Sequence, residues 1–311
     1  MRDYIKIARF DHWIKQLFIL PGVLLAASMT PSGGRTALLP LALLLGLLAT
    51  SAAASANYCI NEWLDAEFDK YHPIKKHRPF VTKKLSAAIV LVEYAIFAAA
   101  SIGLALLINT AVVTAIALLL VMGILYNVRP IRTKDLPYVD VLSESINNAI
   151  RLAIGWFCVT GAYYPPISVV LGYWMGGAFL MAAKRFAEYR MIGDPEQAGL
   201  YRRSFRFYNQ TRLLLSALFY GFLSVFFIGV FLVKYKIELI IAIPPICGLF
   251  CYYFSLCFKA DSVAQKPEKL YKEKGLLLFC LFVVIVFVVS YYIHIPALDM
   301  FLQTELVKLA Q

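Results

Sequence analysis

The sequence is poor in charge, and its cysteines form no recognisable motif. Asp, Glu, Lys and Arg make up 16% of the 311 residues, whereas hydrophobic residues make up 61%. Soluble domains usually carry about 25% charged residues, so this composition excludes an ordinary soluble protein. The six cysteines include no Cys-x-x-Cys pair, which argues against a zinc or dithiol site.

Signals for secretion and for nucleic-acid binding are missing as well. The first 18 residues mix charged with aromatic residues and lack a small-residue cleavage site, so they do not resemble a secretory signal peptide. We expect them to form an interfacial helix that leads into a membrane span. No segment resembles a nucleic-acid-binding module, although the net charge is +11. We therefore expect no nucleic-acid partner.

What the sequence does contain is a series of apolar runs close to the roughly 20 residues that a helix needs to cross a bilayer. These runs lie at residues 17–29 with their flanks, 37–57, 85–107, 110–127, 138–162, 165–183, 213–233, 238–258 and 275–294. We therefore predict an all-α, polytopic membrane protein with nine transmembrane helices. Because the connections are short, we expect one transmembrane domain over residues 1–311.

The basic residues predict an orientation for these helices. With the N-terminus placed in the cytoplasm, 25 of the 30 lysines and arginines fall in cytoplasmic segments. This uneven distribution is the positive-inside pattern. It predicts a cytoplasmic N-terminus and a basic cytoplasmic face that attracts phosphorylated substrates or anionic lipids.

One acidic cluster stands at the end of the second run, in the stretch NYCINEWLDAEFDKYHPIKKHRPF, residues 57–80. Residues four apart share one face of a helix. The polar residues at that spacing are Asn57, Asn61, Asp65 and Asp69. Glu62 lies about 100° around the helix from this stripe, one residue step away from Asn61. Two carboxylates about 6 Å apart repel by about 3 kcal/mol at an effective dielectric of 20, so a cation is expected beside them.

The chemistry of the cluster favours magnesium. Carboxylate and amide oxygens without His or Cys suit a hard cation, and Mg²⁺ commonly binds one or two carboxylates together with substrate phosphates. Lys75, Lys76 and Arg78 follow closely and can neutralise the remaining phosphate charge. The alternative is a solvated helix end followed by a charged loop.

Two further polar sets are predicted at the same membrane face. The set that enters the span 138–162 at three- or four-residue steps consists of Asp140, Glu144, Asn147 or Asn148, and Arg151. Lys184 and Glu188 stand at i, i+4 where the span 165–183 ends, in KRFAEYR. The predicted topology brings these sets together with the stripe around Asp65. Glu144 can also pair with Arg151 for structural reasons alone, and intramembrane charges can couple ions in a transporter.

A family resemblance rests on these same segments. Residues 61–69, NEWLDAEFD, resemble the first aspartate-rich motif of the UbiA superfamily of intramembrane prenyltransferases, Asn-Asp-x-x-Asp-x-x-x-Asp, with Glu62 at the second position. HPIKKHRP, residues 72–79, is similar to the His-Pro-x-Lys-x-x-Arg-Pro continuation of the branch that contains decaprenyl-phosphate phosphoribosyltransferase. Residues 11–26, 134–151 and 182–190 are similar to that branch, whereas YNVRPIRTK, residues 126–134, looks more like aromatic and lipid-forming relatives.

The resemblance implies the all-helical UbiA fold and a set of site residues. The implied ligands of Mg²⁺ are Asn61, Glu62, Asp65 and Asp69. The implied catalytic residues are Asp65, Asp69, Asp140 and Arg151. The residues implied to bind phosphates or to line the substrate pocket are Asn61, Lys75, Arg78, Tyr126, Lys134, Asn148, Lys184, Arg185 and Glu188.

The branch implies Mg²⁺-dependent transfer of a 5-phosphoribosyl group from phosphoribosyl diphosphate to a polyprenyl phosphate, at the cytoplasmic side of a bacterial inner membrane. The first alternative keeps the fold and transfers a prenyl group from a polyprenyl diphosphate to an aromatic or glycerophosphate acceptor. The second is an ion-coupled transporter. A homo-oligomer is compatible with each of these functions.

Overall fold

The computed structural model describes residues 2–31, 36, 38–83, 85–259 and 273–302, and every regular element within them is helical. The α-helices, numbered α1 to α12 in chain order, are Arg2–Ile7, Leu20–Met29, Leu39–Asp69, Pro79–Thr82, Ala87–Leu106, Thr110–Asn127, Val139–Val159, Ile167–Ile192, Pro195–Tyr201, Gln210–Tyr235, Ile243–Leu256 and Lys274–Tyr292. The 3₁₀ helices are Phe10–Ile19, Lys75–His77, Thr133–Asp135, Arg203–Arg206, Ile237–Ala242 and Pro296–Leu302.

Eight helical segments within the described residues are long and apolar enough to cross a membrane. They are Asp3–Met29, Leu39–Asp69, Ala87–Leu106, Thr110–Asn127, Ile167–Ile192, Gln210–Tyr235, Ile237–Leu256 and Lys274–Tyr292. This confirms an all-α, polytopic membrane protein. Helix α7 coincides with the predicted fifth span, but it is not among the eight and it carries Asp140, Glu144 and Arg151. The count of nine crossings and the orientation therefore stay predictions.

Two helices continue well beyond the apolar runs that predict them. Helix α3 spans 31 residues to Asp69, because no glycine or proline interrupts the polar residues before Pro73. Helix α8 continues to Ile192 and ends at Gly193, whose φ of +75° suits glycine. The acidic and basic residues of both segments thus lie on rigid helical turns.

Glycines allow the N-terminal segment to touch α7 closely. A Cβ on Gly155 would lie 2.0 Å from the carbonyl oxygen of Ile19, and a Cβ on Gly22 would lie 1.9 Å from that of Leu152. Side chains at these two positions would force the helices apart. The contact holds the face of α7 that carries Arg151 against the 3₁₀ helix that carries Gln16. The side chain of Arg151 donates a hydrogen bond to that of Gln16.

The buried apolar residues form two main clusters, which flank the polar ends of the helices. One cluster lies among α8, α10 and α11, around Phe179 and Leu213. The other lies among α3, α5, α6 and α7, around Ala53 and Ile116. Most of the predicted basic loop 259–274, most of the terminal segment 297–311, for which apolar spacing predicts a helix, and the basic residues Arg35 and Lys84 lie outside the described residues.

Candidate active site

A cleft of about 780 Å³ opens at the end of α3 where α8 and the first residues of the chain meet it. The predicted site residues that line it are Asn61, Glu62, Asp65, Asp69, Lys75, Arg78, Tyr126, Lys184, Arg185 and Glu188. Lys134 lines a small adjoining cavity that also reaches Asp65 and Asp69. The three polar sets thus meet around one cavity, although Asp140, Asn148 and Arg151 are not part of its described lining.

The polar stripe of α3 is held by cations from the loop after α6. Asn61 donates to Asp65 Oδ2 at 3.1 Å and to Asn127 Oδ1 at 2.6 Å. Asp65 Oδ1 accepts from Arg132 Nη2 at 2.9 Å and from Lys134 Nζ. Burial lowers the pKa of Lys134 to about 8, against the opposing effect of the Asp65 carboxylate. Asp65 therefore lies between two basic side chains.

Glu62 and Asp69 each have a different cation. Glu62 is buried and pairs with Arg9 at 3.2 Å, so its side chain faces the N-terminal segment rather than the cations of Asp65. Asp69 accepts from Arg78 Nη1 at 2.5 Å. Burial opposes the charge of Arg78, but the Asp69 and Glu62 carboxylates raise its pKa overall.

The wall of the cleft formed by α8 is organised by Glu188. Glu188 Oε1 accepts from Lys75 Nζ at 2.7 Å and from the Tyr201 hydroxyl at 3.0 Å. His72 Nε2 lies 3.3 Å from the same oxygen. Glu188 Oε2 is buried and has no hydrogen-bond partner within the described residues. Arg185 Nη1 lies 3.9 Å from this oxygen, so Glu188 connects the loop that carries Lys75 to Arg185.

His72 is a buried residue of the loop after α3. It is 3% exposed, and its Nδ1 accepts the backbone N–H groups of Ile74 and Lys75 at 3.1 Å each. A nitrogen that accepts two N–H groups carries no proton, so Nε2 holds the hydrogen and donates it to Glu188. Burial lowers the pKa of His72. The neutral imidazole thus fixes the turn that presents Lys75.

The pairing of Glu144 with Arg151, one of the sequence alternatives, is wrong. Glu144 accepts from Arg185 Nη2 of α8 and from the Tyr126 hydroxyl, the latter at 2.8 Å. Helical spacing places Arg151 on the same face of α7 as Glu144 but two turns away, and the tertiary packing inserts Arg185 between α7 and α6, where it contacts Glu144 and Tyr126. Arg151 instead donates to Gln16 and Asn148, both neutral.

Asp140 is completely buried behind the cleft wall. Its carboxylate accepts from the Tyr208 hydroxyl at 2.8 Å, from Ser204 Oγ at 3.1 Å and from Arg185 Nε at 3.5 Å. Arg202 lies 3.8 Å away. These contacts tie the segment after α9 to α7 and hold Arg185 in place. The geometry therefore suits a positioning role for Asp140.

Several cleft residues were missed by the sequence reasoning. They are Arg9, His72, Arg132, Tyr201 and Arg202. All except Tyr201 are basic or imidazole residues from segments already predicted to be on the basic face. The density of basic residues predicted that these segments lie at the basic face, but it did not show which of the residues line the cleft and which lie on the surface.

The oxygen atoms of the cleft fit a hard divalent cation held partly by its ligand. No group of three or more His, Cys, Asp or Glu side chains within the described residues is close enough to hold a metal alone. Glu62 Oε1 and Glu188 Oε2 are buried carboxylate oxygens that accept no hydrogen bond from the described residues, and Arg185 Nη1 lies 3.9 Å from the latter. Mg²⁺ commonly binds through one or two carboxylates and completes its shell with water and phosphate oxygens, which this arrangement permits.

Comparisons with known proteins agree with the fold. The UbiA prenyltransferase family matches residues 17–281. The protoheme IX farnesyltransferase of Alkalihalophilus pseudofirmus is 30% identical over 49% of this chain and 50% of its own length. The decaprenyl-phosphate phosphoribosyltransferase of Corynebacterium glutamicum is 25% identical over 67% of this chain and 60% of its own length. The chain thus spans half to three fifths of these two relatives.

A solved structure shares the architecture over nearly the whole chain. The UbiA homologue from Archaeoglobus fulgidus, bound to DMAPP and Mg²⁺, superposes with a TM-score of 0.68. It covers 92% of this chain and 99% of its own, at 21% sequence identity.

Proposed function

Because the chain belongs to the UbiA prenyltransferase family, we propose that it transfers a 5-phosphoribosyl group from phosphoribosyl diphosphate to a polyprenyl phosphate. The reaction takes place at the cytoplasmic side of a bacterial inner membrane and requires Mg²⁺. The observation that carries the proposal is the contact between Lys75 and Glu188 at 2.7 Å. It joins HPIKKHRP and KRFAEYR, the two stretches most similar to the phosphoribosyltransferase branch, on one wall of the cleft.

The charge of the cleft supports two anionic substrates. Its cationic side chains are Lys6, Arg9, Lys15, Lys75, Arg78, Lys83, Lys184, Arg185 and Arg202. A polyprenyl diphosphate with hydroxybenzoate brings one diphosphate and one carboxylate. The same lining holds seven carboxylates, those of Asp3, Asp11, Glu62, Asp65, Asp69, Glu144 and Glu188, so its cations exceed its carboxylates by two. Phosphoribosyl diphosphate and a lipid phosphate together bring three phosphate or diphosphate groups, which a cleft with a net positive charge favours. The relative from Corynebacterium glutamicum supports the same substrates.

Asp65, Asp69 and Asn61 would hold the Mg²⁺ on the α3 side, and Glu62 would join them only by leaving Arg9. When bound, the ion would withdraw negative charge from the departing diphosphate. Arg132, Lys134 and Arg78 now neutralise the same carboxylates. With Mg²⁺ bound to these carboxylates, Arg132, Lys134 and Arg78 would be free to donate to phosphate oxygens, as guanidinium and ammonium groups do well.

The rest of the chemistry needs positioning more than proton transfer. Lys75, Lys184 and Arg185 hold the diphosphate while the bond from its oxygen to the anomeric carbon breaks. An oxygen of the lipid phosphate forms the new bond to that carbon, and the diphosphate leaves. A lipid phosphate is already ionised near neutral pH, so no strong general base is required. Orientation and electrostatic stabilisation then supply most of the rate enhancement.

Prenyl transfer is the second candidate within the same family. The segment YNVRPIRTK favours it, and so does the relative from Alkalihalophilus pseudofirmus, a farnesyltransferase. In that reaction the same carboxylates would hold the metal, and Tyr126 and Lys134 would face the acceptor. An ion-coupled transporter has lost support, because the family is one of transferases.

The test supplies purified protein with two substrate pairs and Mg²⁺. The first pair is phosphoribosyl diphosphate with polyprenyl phosphate, and the second is polyprenyl diphosphate with hydroxybenzoate. We expect a phosphoribosylated lipid from the first pair only. Product from the second pair alone would replace the proposal with prenyl transfer. Chelation with EDTA should stop the reaction, and added Mg²⁺ should restore it.

A further inference from the structure

Arg151 is a charged residue inside α7 without a charged partner. Its Nε donates to Gln16 Oε1 at 2.8 Å and its Nη1 donates to Asn148 Oδ1 at 3.3 Å. No carboxylate of the described residues lies within 4.0 Å of its guanidinium. A guanidinium has five N–H groups, so two neutral partners leave both its charge and other N–H groups uncompensated. Ionisable residues in membrane-spanning segments are costly and usually mark a functional site.

Gln16 provides a second uncompensated donor at the same place. Its side chain is fully buried, and its carbonyl oxygen accepts from Arg151. Its Nε2 has no hydrogen-bond partner within the described residues. A buried donor without an acceptor destabilises the folded protein, so an acceptor from a ligand would be stabilising. The remaining N–H groups of Arg151 and Gln16 therefore call for the same kind of acceptor, a negatively charged or carbonyl oxygen.

Both residues are held there by the backbone. Gly155 lies one turn after Arg151, and its missing Cβ lets α7 touch the carbonyl of Ile19, three residues after Gln16. Glycine at 155 therefore fixes the separation between the helices at which Arg151 reaches Gln16. The pair is a rigid feature of the fold rather than a surface contact.

Neither Arg151 nor Gln16 belongs to the described lining of the cleft, but the pair lies directly behind it, since Lys15, the residue before Gln16, is part of that lining. Tyr58 lines the cleft and interacts electrostatically with Arg151. Along α3, Tyr58 lies seven residues before Asp65, and along α7, Arg151 lies seven residues after Glu144. Seven residues of helix span about 10 Å. Arg151 is therefore about 10 Å deeper than the carboxylates that face the proposed metal and diphosphate.

We propose that Arg151 and Gln16 Nε2 form a subsite that binds the oxyanion of the second substrate, the acceptor. The inference rests on the proposed function only in requiring an anionic acceptor. The diphosphate of the donor is matched by Lys75, Arg78 and Lys184 nearer the mouth, so a separate anion belongs deeper. An acceptor whose apolar tail lies in the bilayer would reach the cleft from the membrane side, so its anionic headgroup would lie at the level of Arg151. A lipid phosphate and an aromatic carboxylate both carry the required oxyanion.

The test measures ligand affinity for the full-length protein in detergent, so it does not depend on turnover. The variants are Arg151→Gln and Arg151→Lys, and Arg129→Gln is the matched control, because Arg129 is an exposed arginine paired with Glu67. The ligands are polyprenyl phosphate, the polyprenyl alcohol of the same length, 4-hydroxybenzoate, and inorganic pyrophosphate with Mg²⁺. Wild type should bind the phosphate more tightly than the alcohol.

The expected pattern is specific to the acceptor oxyanion. Arg151→Gln should weaken binding of polyprenyl phosphate about tenfold or more and leave the alcohol and pyrophosphate unchanged, with Arg151→Lys intermediate. Gln16→Met, which keeps the arginine, should weaken the same ligand by a smaller factor and provides the test if Arg151→Gln does not fold. Arg129→Gln should bind every ligand as wild type does.

Other outcomes separate this inference from the proposed function. Unchanged binding of polyprenyl phosphate in both Arg151→Gln and Gln16→Met would overturn the subsite. An equal loss of pyrophosphate affinity would also overturn it, because Arg151 would then serve the donor. If wild type binds 4-hydroxybenzoate in an Arg151-dependent manner and ignores polyprenyl phosphate, the subsite stands and the proposed acceptor is wrong.

Discussion

Lys75 Nζ lies 2.7 Å from Glu188 Oε1, although 113 residues separate them in the sequence. The contact joins the loop after α3 to the C-terminal part of α8, which forms one wall of the cleft. His72 and Tyr201 share the same carboxylate oxygen. A loop that the sequence leaves unconstrained is thereby fixed beside the acidic stripe of α3, with Lys75 directed into the cleft.

Lys75→Met should weaken the binding of Mg²⁺-pyrophosphate about tenfold to a hundredfold, since a hydrogen bond to a charged group contributes about 1.5–3 kcal/mol. Isothermal titration calorimetry on the detergent-solubilised protein measures this loss. Lys76→Met is the control, because Lys76 is the exposed neighbour. Equal losses in both variants would mean that the general basic charge of the loop, rather than the Lys75 position, binds the anion.

Asp65→Asn should reduce turnover at least a hundredfold and leave the protein folded, because the amide keeps the shape but loses the charge that holds Mg²⁺. Product formation and the elution profile in size-exclusion chromatography measure the two effects. Glu67→Gln on the same helix is the control, since Glu67 is exposed and pairs with Arg129. Activity of Asp65→Asn close to that of Glu67→Gln would remove Asp65 from the metal site.

His72 should make stability depend on pH in a defined direction. Burial lowers its pKa and so does the Lys75 ammonium, and together they outweigh the Glu188 and Asp69 carboxylates, which raise it. In the unfolded chain this histidine binds a proton below about pH 6.5, whereas in the folded chain it binds a proton only at lower pH. The free energy of unfolding is therefore at its full value above about pH 6.5 and decreases as the pH falls below it. The thermal midpoint of wild type should therefore fall between pH 7.5 and pH 5.5.

The matched variants for this effect are His72→Asn and His77→Asn. Asparagine at 72 can still accept the backbone N–H groups that follow, but it does not titrate, so its midpoint should fall less over the same pH interval. His77 is exposed, and His77→Asn should behave as wild type. Parallel pH profiles for all three proteins would show that His72 does not contribute.

Gly155→Ala should destabilise the protein by about 1–3 kcal/mol through overpacking, because its new Cβ would lie 2.0 Å from the Ile19 carbonyl oxygen. Gly103→Ala is the control, since a Cβ there has nothing within 4 Å. Thermal unfolding followed by fluorescence compares the two variants. A Gly155→Ala midpoint as high as that of Gly103→Ala would show that α7 does not depend on this close approach.

Local sequence patterns were sufficient for the membrane architecture and for one face of the cleft. The length of each apolar run predicts a helix because a bilayer imposes that length, and the family match over residues 17–281 confirms the resemblance seen in NEWLDAEFD. The four-residue spacing of Asn61, Asp65 and Asp69 needs only the geometry of one helix. These inferences involve residues close together in the chain.

The tertiary structure decided which charge meets which. The sequence of α7 suggested a pairing of Arg151 with Glu144. In the structure, Glu144 accepts from Arg185 of α8, and Arg151 donates to Gln16 of the N-terminal segment. Glu62 likewise turns to Arg9, 53 residues away. Such pairings depend on how each helix is rotated toward its neighbours and on which side chains lose contact with water, and neither quantity is contained in the periodicity of a single segment.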